Sequence, residues 1–263
     1  MQPNVSIGFV PTMGALHQGH LSLIQAAQKE CKQVVVSIFV NELQFGPNED
    51  FKEYPRTLKK DISQLKAKNV TVLFLPNKDE IYPKKSFLKI EENNISKKLE
   101  GKSRPNFFSG ILIVVVKLFN LVQPQYVYFG EKDIQQLYVV KQMIVDFNFS
   151  IVLRSCPTIR EKTGLAMSSR NKYLTDGDKK EASILYQALM MGKSLWAKET
   201  IANIEKQMLL MLNNKNISVD YLKIINLNTF EKPINNQDLP IALIGAIYYN
   251  KVRLIDNVII KKQ

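Results

Sequence analysis

Positions 10–20 read VPTMGALHQGH, and the reading of the whole chain turns on them. An apolar run at 5–10 leads in, and Leu21, Ile24 and Ala27 follow at helical spacing, so the stretch reads as strand, loop and helix start. Backbone N–H groups in the first turn of a helix lack carbonyl partners and sit at the positive end of its dipole, which suits them to a phosphate. Gly14 and Gly19 let the backbone approach a ligand with no Cβ in the way. His17 and His20, the chain's 2 histidines, stand three apart, which puts both rings on one side of the first turn. Such a pair either caps or lines a core helix, or acts as an HxGH motif that donates hydrogen bonds to a nucleotide α-phosphate while charge rearranges on it.

Composition narrows the classes. With 263 residues, 45% hydrophobic and 23% charged, the chain has the apolar material for one large or two modest domains. The opening MQPNVSIGF has no basic n-region and no long apolar h-region, and no run reaches the roughly 18 apolar residues of a membrane span. A cytoplasmic protein with no membrane partner is expected. Cys31 and Cys156 fit no metal-ligand spacing and read as reduced, partly buried thiols. The net charge of +12 and pI near 9.5 raise the question of nucleic acid. The excess is lysine in scattered pairs such as Lys59 with Lys60 and Lys97 with Lys98, without the aromatic interleaving of single-strand binders. This reads as solvated surface that also attracts small anions, and nucleic acid is not an expected partner.

Downstream, VVVSIFV at 34–40 suits a strand buried on both faces of a parallel sheet. NELQFGPNEDFKEYPRT at 41–57 is a long polar connection broken by Gly46, Pro47 and Pro55, of the kind that forms lids or binding loops. Leu58, Ile62 and Leu65 have helical spacing, 70–75 reads as a strand, and 86–90 as a short strand. The apolar run 111–122 is long enough for a helix beginning behind Gly110. A strand at 126–129 ends in Gly130, Glu131, Lys132 and Asp133 before a helical stretch to Phe147, which makes a second strand-to-helix corner with Lys132 as its cation. A last strand of this series is expected at 151–155. The alternation predicts an α/β fold, a doubly wound parallel sheet with ligands at the carboxyl ends of its strands.

Beyond TGLAMSSRN at 163–171, whose serines and arginine suit a polyphosphate tail, the character changes. Two amphipathic helices are expected at 176–198 and 200–215. Three strands follow at 219–225, Ile241–Tyr249 and Val252–Ile260, the last two joined by a tight turn at Asn250 and Lys251. The expected organisation is a nucleotide-binding domain, 1–158, and a smaller C-terminal α+β domain, 159–263, closing over the site.

VPTMGALHQGH, VSIFVNELQF, YPRTL, KLFNLVQP, FGEKDIQQL and GLAMSSRNKYL, in this order and spacing and with RLIDN near the end, resemble the pantothenate synthetase (pantoate–beta-alanine ligase) family. That family is similar in turn to the class I aminoacyl-tRNA synthetases and other HxGH nucleotidyltransferases. The likeness begins almost at the first strand, so an N-terminal helical segment common in the family is expected to be missing.

The resemblance implies a cytoplasmic, homodimeric, Rossmann-like enzyme on the route to coenzyme A. Pantoate's carboxylate attacks the α-phosphate of Mg-ATP, giving pantoyl adenylate and pyrophosphate, and the amine of β-alanine then displaces AMP. Carried onto this chain, Met13, Gly14, Ala15, Leu16, His17, Gln18, Gly19 and His20 bind ATP, with His20 catalytic, His17 beside it and Lys132 as catalytic cation. Gly130, Glu131, Lys132, Asp133 and Ile159 contact the nucleotide, and Met167, Ser168, Ser169 and Arg170 form a mobile phosphate loop comparable to KMSKS. Gln44 and Gln136, with Asn41, hold pantoate and β-alanine, since an amide both donates and accepts; an isolated glutamine otherwise reads as solvated surface. Asp61 and Asp133 are candidate Mg²⁺ contacts, yet carboxylates on helix surfaces are usually just solvated, and no metal ligand is assigned.

The sequence departs from the family pattern at Glu42, where the family has proline, at Asn106 and Phe107 in place of Gly-His, and at Thr163 in place of aspartate. These bear on loop geometry and rate more than on reaction class. Two other readings stay open: an HxGH adenylyltransferase for a different carboxylic acid, and a nucleic-acid-binding module suggested by charge alone. An aminoacyl-tRNA synthetase would need an anticodon-binding domain, for which roughly 100 C-terminal residues without a basic helix leave little room.

Overall fold

A computed structural model describes residues 5–47, 49–83 and 88–261. The chain divides into two compact units, Met1–Pro157 and Thr158–Gln263.

Five parallel strands carry the first unit: β1 (Ile7–Thr12), β2 (Gln33–Ile38), β3 (Val72–Phe74), β4 (Tyr126–Gly130) and β5 (Val152–Cys156), in the order β3-β2-β1-β4-β5. Val34, Val35 and Val36 are all buried, as an unbroken apolar strand with both faces covered must be. The helices of this unit are α1 (Gln18–Glu30), α2 (Leu58–Ala67), α3 (Lys78–Ile81), α4 (Leu99–Ser103), α5 (Phe107–Val122) and α6 (Ile134–Asp146). The chain winds from β1 out to β3, then returns to the other side of β1 as β4. The β1–β4 ladder consists of Gly8 with Tyr126 and Phe9 with Val127, and the strands part beyond it. That reversal of winding direction is the switch point at which doubly wound sheets take their ligands.

Two expectations for this unit are corrected. The helix placed behind Gly110 begins at Phe107, after Asn106 turns the chain at φ 70°. Gly110 lies inside the helix because a Cβ there would stand 2.2 Å from the Leu43 carbonyl oxygen. The glycine marks a close approach of the 41–57 loop rather than a boundary. The short strand at 86–90 is not found: Leu88, Lys89 and Ile90 have irregular backbone, and Ser86 and Phe87 lie outside the described residues.

The second unit is a three-stranded antiparallel sheet, β6 (Ile217–Asn226), β7 (Ile241–Tyr249) and β8 (Val252–Ile260), in that order, with α7 (Asp176–Ala182), α8 (Ile184–Leu195) and α9 (Ile201–Met211). Leu185 and Leu189 of α8 and Ile204 and Met208 of α9 share one apolar core with Leu243 and Ile247 of β7. The single helix expected at 176–198 is two, interrupted at Ser183, whose hydroxyl donates to the Lys180 carbonyl at 2.6 Å.

Candidate active site

Thr12 ends β1 and starts the loop. Its hydroxyl donates to the Ser37 carbonyl at 2.7 Å and accepts the Gly14 N–H at 3.1 Å. Gly14 (φ 78°) and Ala15 (φ 50°) both lie in the left-handed region, which costs a residue with a Cβ roughly 1–2 kcal/mol. Asp61 of α2 offsets that cost. It is 1% exposed; its Oδ2 accepts from Ala15 N at 3.0 Å, and its Oδ1 accepts from Leu16 N at 2.9 Å and from the Thr57 hydroxyl at 3.1 Å. The expectation of a solvated or Mg²⁺-facing Asp61 is therefore corrected, because both oxygens of this buried carboxylate are engaged by the loop and by Thr57.

His17 is the N-cap of α1, and His20 is its third residue. The Nδ1 of His17 accepts Gly19 N at 3.1 Å, and His17 N donates to the Nδ1 of His20 at 3.3 Å, a capping box made of two imidazoles with ring centroids 4.1 Å apart. Backbone donors that the sequence reading left open for a phosphate are thus closed by the protein itself. The capping and phosphate-donor readings do not compete, because they use different nitrogens. With Nδ1 accepting, a neutral ring carries its proton on Nε2. His20 is such a ring: burial, and then the charge of Lys132, lower its pKa to about 4.

The corner after β4 is built differently. Gly130 leads into a 3₁₀ turn, Glu131–Asp133, and then α6, and no side chain caps either. Nothing lies within 4 Å of where a Gly130 Cβ would stand. Lys132, its side chain 20% exposed, has its Nζ 3.5 Å from Asp133 Oδ1.

Gln44 faces the histidine loop, its Nε2 lying 2.9 Å from the Met13 sulfur, and its Oε1 accepts from Asn41 Nδ2 at 3.1 Å. Asn41 itself is buried and fully occupied: Nδ2 also donates to Gly110 O at 2.9 Å, while Oδ1 accepts from Leu43 N at 3.2 Å and from the Tyr82 hydroxyl at 2.7 Å. Asn41 holds the loop in place rather than offering free donors. Burial and the nearby Glu42 push the Tyr82 hydroxyl well above its usual pKa, so it stays a donor. On the first turn of α6, Gln136 is half-buried, and its side chain makes no hydrogen bond among the described residues. Its neighbour Gln135 is buried, accepting from Glu100 N at 3.1 Å and donating to the carbonyls of Ile95 and Lys98, both at 2.8 Å. The roles of Tyr82 and Gln135 are not legible in the sequence; only the doubled glutamine of IQQL gives a signal.

In the second unit, Ile159 O accepts from Met167 N at 2.9 Å and Glu161 N donates to Leu165 O at 2.8 Å, closing a small hairpin around Gly164 (φ 94°). Thr163 keeps a turn contact there, accepting from Leu165 N at 3.4 Å. Asn171 anchors the following segment through Glu161 Oε1 at 2.6 Å and Ala166 O at 3.1 Å. Ser168 caps the 3₁₀ turn Ser169–Tyr173 by accepting from Arg170 N at 3.3 Å, and Ser169 is buried. Among the described residues no group of three or more His, Cys, Asp and Glu could hold a metal ion, and no helix is long and apolar enough to cross a membrane.

The family model for pantoate-beta-alanine ligase matches residues 1–259. The pantothenate synthetase of Thermosipho melanesiensis is 45% identical over 256 residues, 97% of this chain and 91% of the relative. The crystal structure of the pantothenate synthetase from Thermus thermophilus superposes with a TM-score of 0.94 at 40% identity, covering 99% of this chain and 95% of that one. The pantoate-beta-alanine ligase of Francisella tularensis, complexed with beta-gamma ATP and beta-alanine, superposes with a TM-score of 0.80 at 39% identity over 98% of this chain and 91% of that chain. With matches of this extent over a site of this construction, the chain belongs to the pantoate-beta-alanine ligase family.

Proposed function

We propose that the chain condenses (R)-pantoate with β-alanine to pantothenate through a pantoyl adenylate, releasing pyrophosphate and AMP. One observation carries the reading: beside the switch point of the sheet, the neutral His20 ring lies in the field of Lys132, and the Gln44 amide lies 2.9 Å from Met13 of the histidine loop. A pantoate carboxylate oxygen bonds to the α-phosphorus as the bond to the β-phosphate oxygen breaks and pyrophosphate leaves. The amine of β-alanine then attacks the acyl carbon, the bond to the AMP oxygen breaks, and the amine proton goes to solvent.

His20, neutral at ordinary pH, cannot protonate the phosphate. It donates from Nε2 to a non-bridging oxygen of the α-phosphate, while Lys132 balances the charge that moves outward. Gln44 and Gln136 hold the hydroxy acid, and Asn41 sets Gln44. The same reading gives Ile159 and residues 167–170 as further nucleotide and phosphate contacts. Asp133, at the open corner, would be the side chain to hold a phosphate-bound Mg²⁺, since Asp61 is occupied by the loop, and the ion would screen the phosphate charges. The same reading carries a cytoplasmic homodimer, which sizing in solution tests.

The test of function is incubation with ATP, pantoate and β-alanine, followed by measurement of AMP and pantothenate. Exchange of labelled pyrophosphate into ATP should require pantoate and proceed without β-alanine. Exchange that starts only when β-alanine is added would overturn the adenylate route.

A further inference from the structure

Arg104, between α4 and α5, holds the loop that carries Gln44 from an unusual number of sides, with a side chain 11% exposed. Its Nη2 donates to the Gln44 carbonyl at 3.1 Å, its Nε donates to Glu49 Oε1 at 2.6 Å, and Nη2 also pairs with Glu49 Oε2. Its Nη1 donates to Glu100 Oε1 at 3.0 Å. The guanidinium carbon lies 3.7 Å from the centroid of the Phe107 ring, at the position where this chain departs from the Gly-His of its family. A planar fork that stacks on an aromatic while donating from every nitrogen is work that a lysine cannot reproduce.

The chain of contacts continues on the far side. Glu100 N donates to the Gln135 side chain at 3.1 Å, and Gln135 precedes Gln136 on α6. The backbone that carries Gln44 and the helix that carries Gln136 are therefore joined through one short path, Gln44 O to Arg104 to Glu100 to Gln135. We infer that Arg104 is a positioning residue for the acid substrate: it acts through the Gln44 backbone and α4 to set the spacing of the two carboxamides, and it touches no substrate. This rests on the reading of Gln44 and Gln136 as the pantoate-holding pair.

The full-length Arg104→Lys protein tests it by steady-state kinetics with pantoate and ATP varied separately. The expected result is a pantoate KM raised about tenfold, an ATP KM within about twofold of wild type and kcat little changed at saturating pantoate. In a Gln44→Ala background, Arg104→Lys should raise the pantoate KM by less than about threefold, since residues acting as one unit are not additive. Loss of fold quality alone would move both substrates and would add fully. An unchanged pantoate KM in a folded Arg104→Lys protein, an equal rise for ATP, or full additivity with Gln44→Ala would overturn the inference. If Arg104→Lys does not fold, Glu49→Gln keeps the Arg104–Glu100 pair and loosens only the loop end. It should raise the pantoate KM selectively, about threefold, and no selective rise would overturn the inference. A wild-type protein that makes no AMP from pantoate would instead remove the reading of the pantoate site itself.

Discussion

The corner after β1 is sealed, and the corner after β4 is open. In the first, N–H groups of Ala15, Leu16, His17 and Gly19 are taken by Asp61 and by two imidazoles. In the second, no side chain caps the turn or the helix, and space stands over Gly130. Both begin as strand, glycine and helix, so the motif alone does not tell them apart. A sealed corner cannot adapt to a ligand through its backbone, but it fixes the His20 Nε2 without reorganisation when charge develops, and such donors contribute most to rate. An open corner with a lysine accepts a group that arrives and leaves. The pairing suits a reaction in which one phosphate is worked on and its neighbours depart.

The largest expected effect breaks the sealed corner at the donor proposed to act on the α-phosphate. His20→Ala should lower pantoate-dependent pyrophosphate exchange by about 10²–10³, and Lys132→Ala by a similar factor. Because His20 also caps α1, His20→Ala costs about 1 kcal/mol of stability as well. His20→Asn separates the two roles, since a short amide oxygen can accept the His17 N–H but puts no donor where Nε2 was. It should melt close to wild type and still lose about 10² in exchange. A His20→Asn enzyme with most of its turnover would reduce the motif to a cap.

Next in size is the carboxylate that shapes the loop. Asp61→Asn turns an NH₂ towards one of two loop N–H groups that need an acceptor, and losing a charge-assisted bond of this kind costs roughly 1.5–3 kcal/mol. The expected outcome is ATP binding weakened on the order of tenfold and a lower melting temperature, read by calorimetry and thermal unfolding. Unchanged ATP affinity would mean that the left-handed turn at Gly14 and Ala15 holds itself.

A third test uses pH. His20 titrates at about 4 when folded and at 6.5 as its ordinary value. The unfolded chain therefore binds the extra proton first as pH falls, and this residue's contribution to stability is lost between 6.5 and about 4. Denaturant unfolding should show that loss in wild type and less of it in His20→Asn. Exchange activity should have no His20 inflection near 6.5, and an NMR titration of the ring near 6 or above would contradict the neutral-donor mechanism.

The contrast between the corners also explains what the sequence could and could not say. Both corners, the buried strands and the hairpin of β7 and β8 are legible, because each depends on residues adjacent in the chain: apolar runs, glycines and a two-residue turn. The sealing is not, because it depends on Asp61, 46 positions from Ala15. Gly110 misled for the same reason, its cause being the Leu43 carbonyl of a distant loop. Gln135 and Gln136 looked alike in sequence, yet successive residues on a helix point about 100° apart. One is buried in a hydrogen-bond frame and the other is half-exposed without a protein partner among the described residues. Nothing in the sequence separates Asn41 from a substrate-facing amide, yet both Nδ2 and Oδ1 of its side chain are bonded to protein.

The smallest effect is expected outside both corners, at Phe107. Its ring lies 5.0 Å from that of Phe108 and carries the Arg104 guanidinium on its face. A histidine there would keep a flat ring under the arginine while neutral, and would repel it when protonated. Phe107→His should therefore change turnover by less than about tenfold, roughly 1.4 kcal/mol in the barrier, with the change growing as pH falls below the ordinary histidine pKa. Phe107→Ala should act on stability more than on chemistry, because it removes packing against Phe108 and the support of Arg104 together. Comparing the two variants sharpens the division of labour: if the corners do the chemistry, the pantoate KM should respond to either substitution more than turnover does. A gain of several hundredfold with Phe107→His would mean that the corners form an incomplete site, and that a third donor belongs where this chain has placed an aromatic ring.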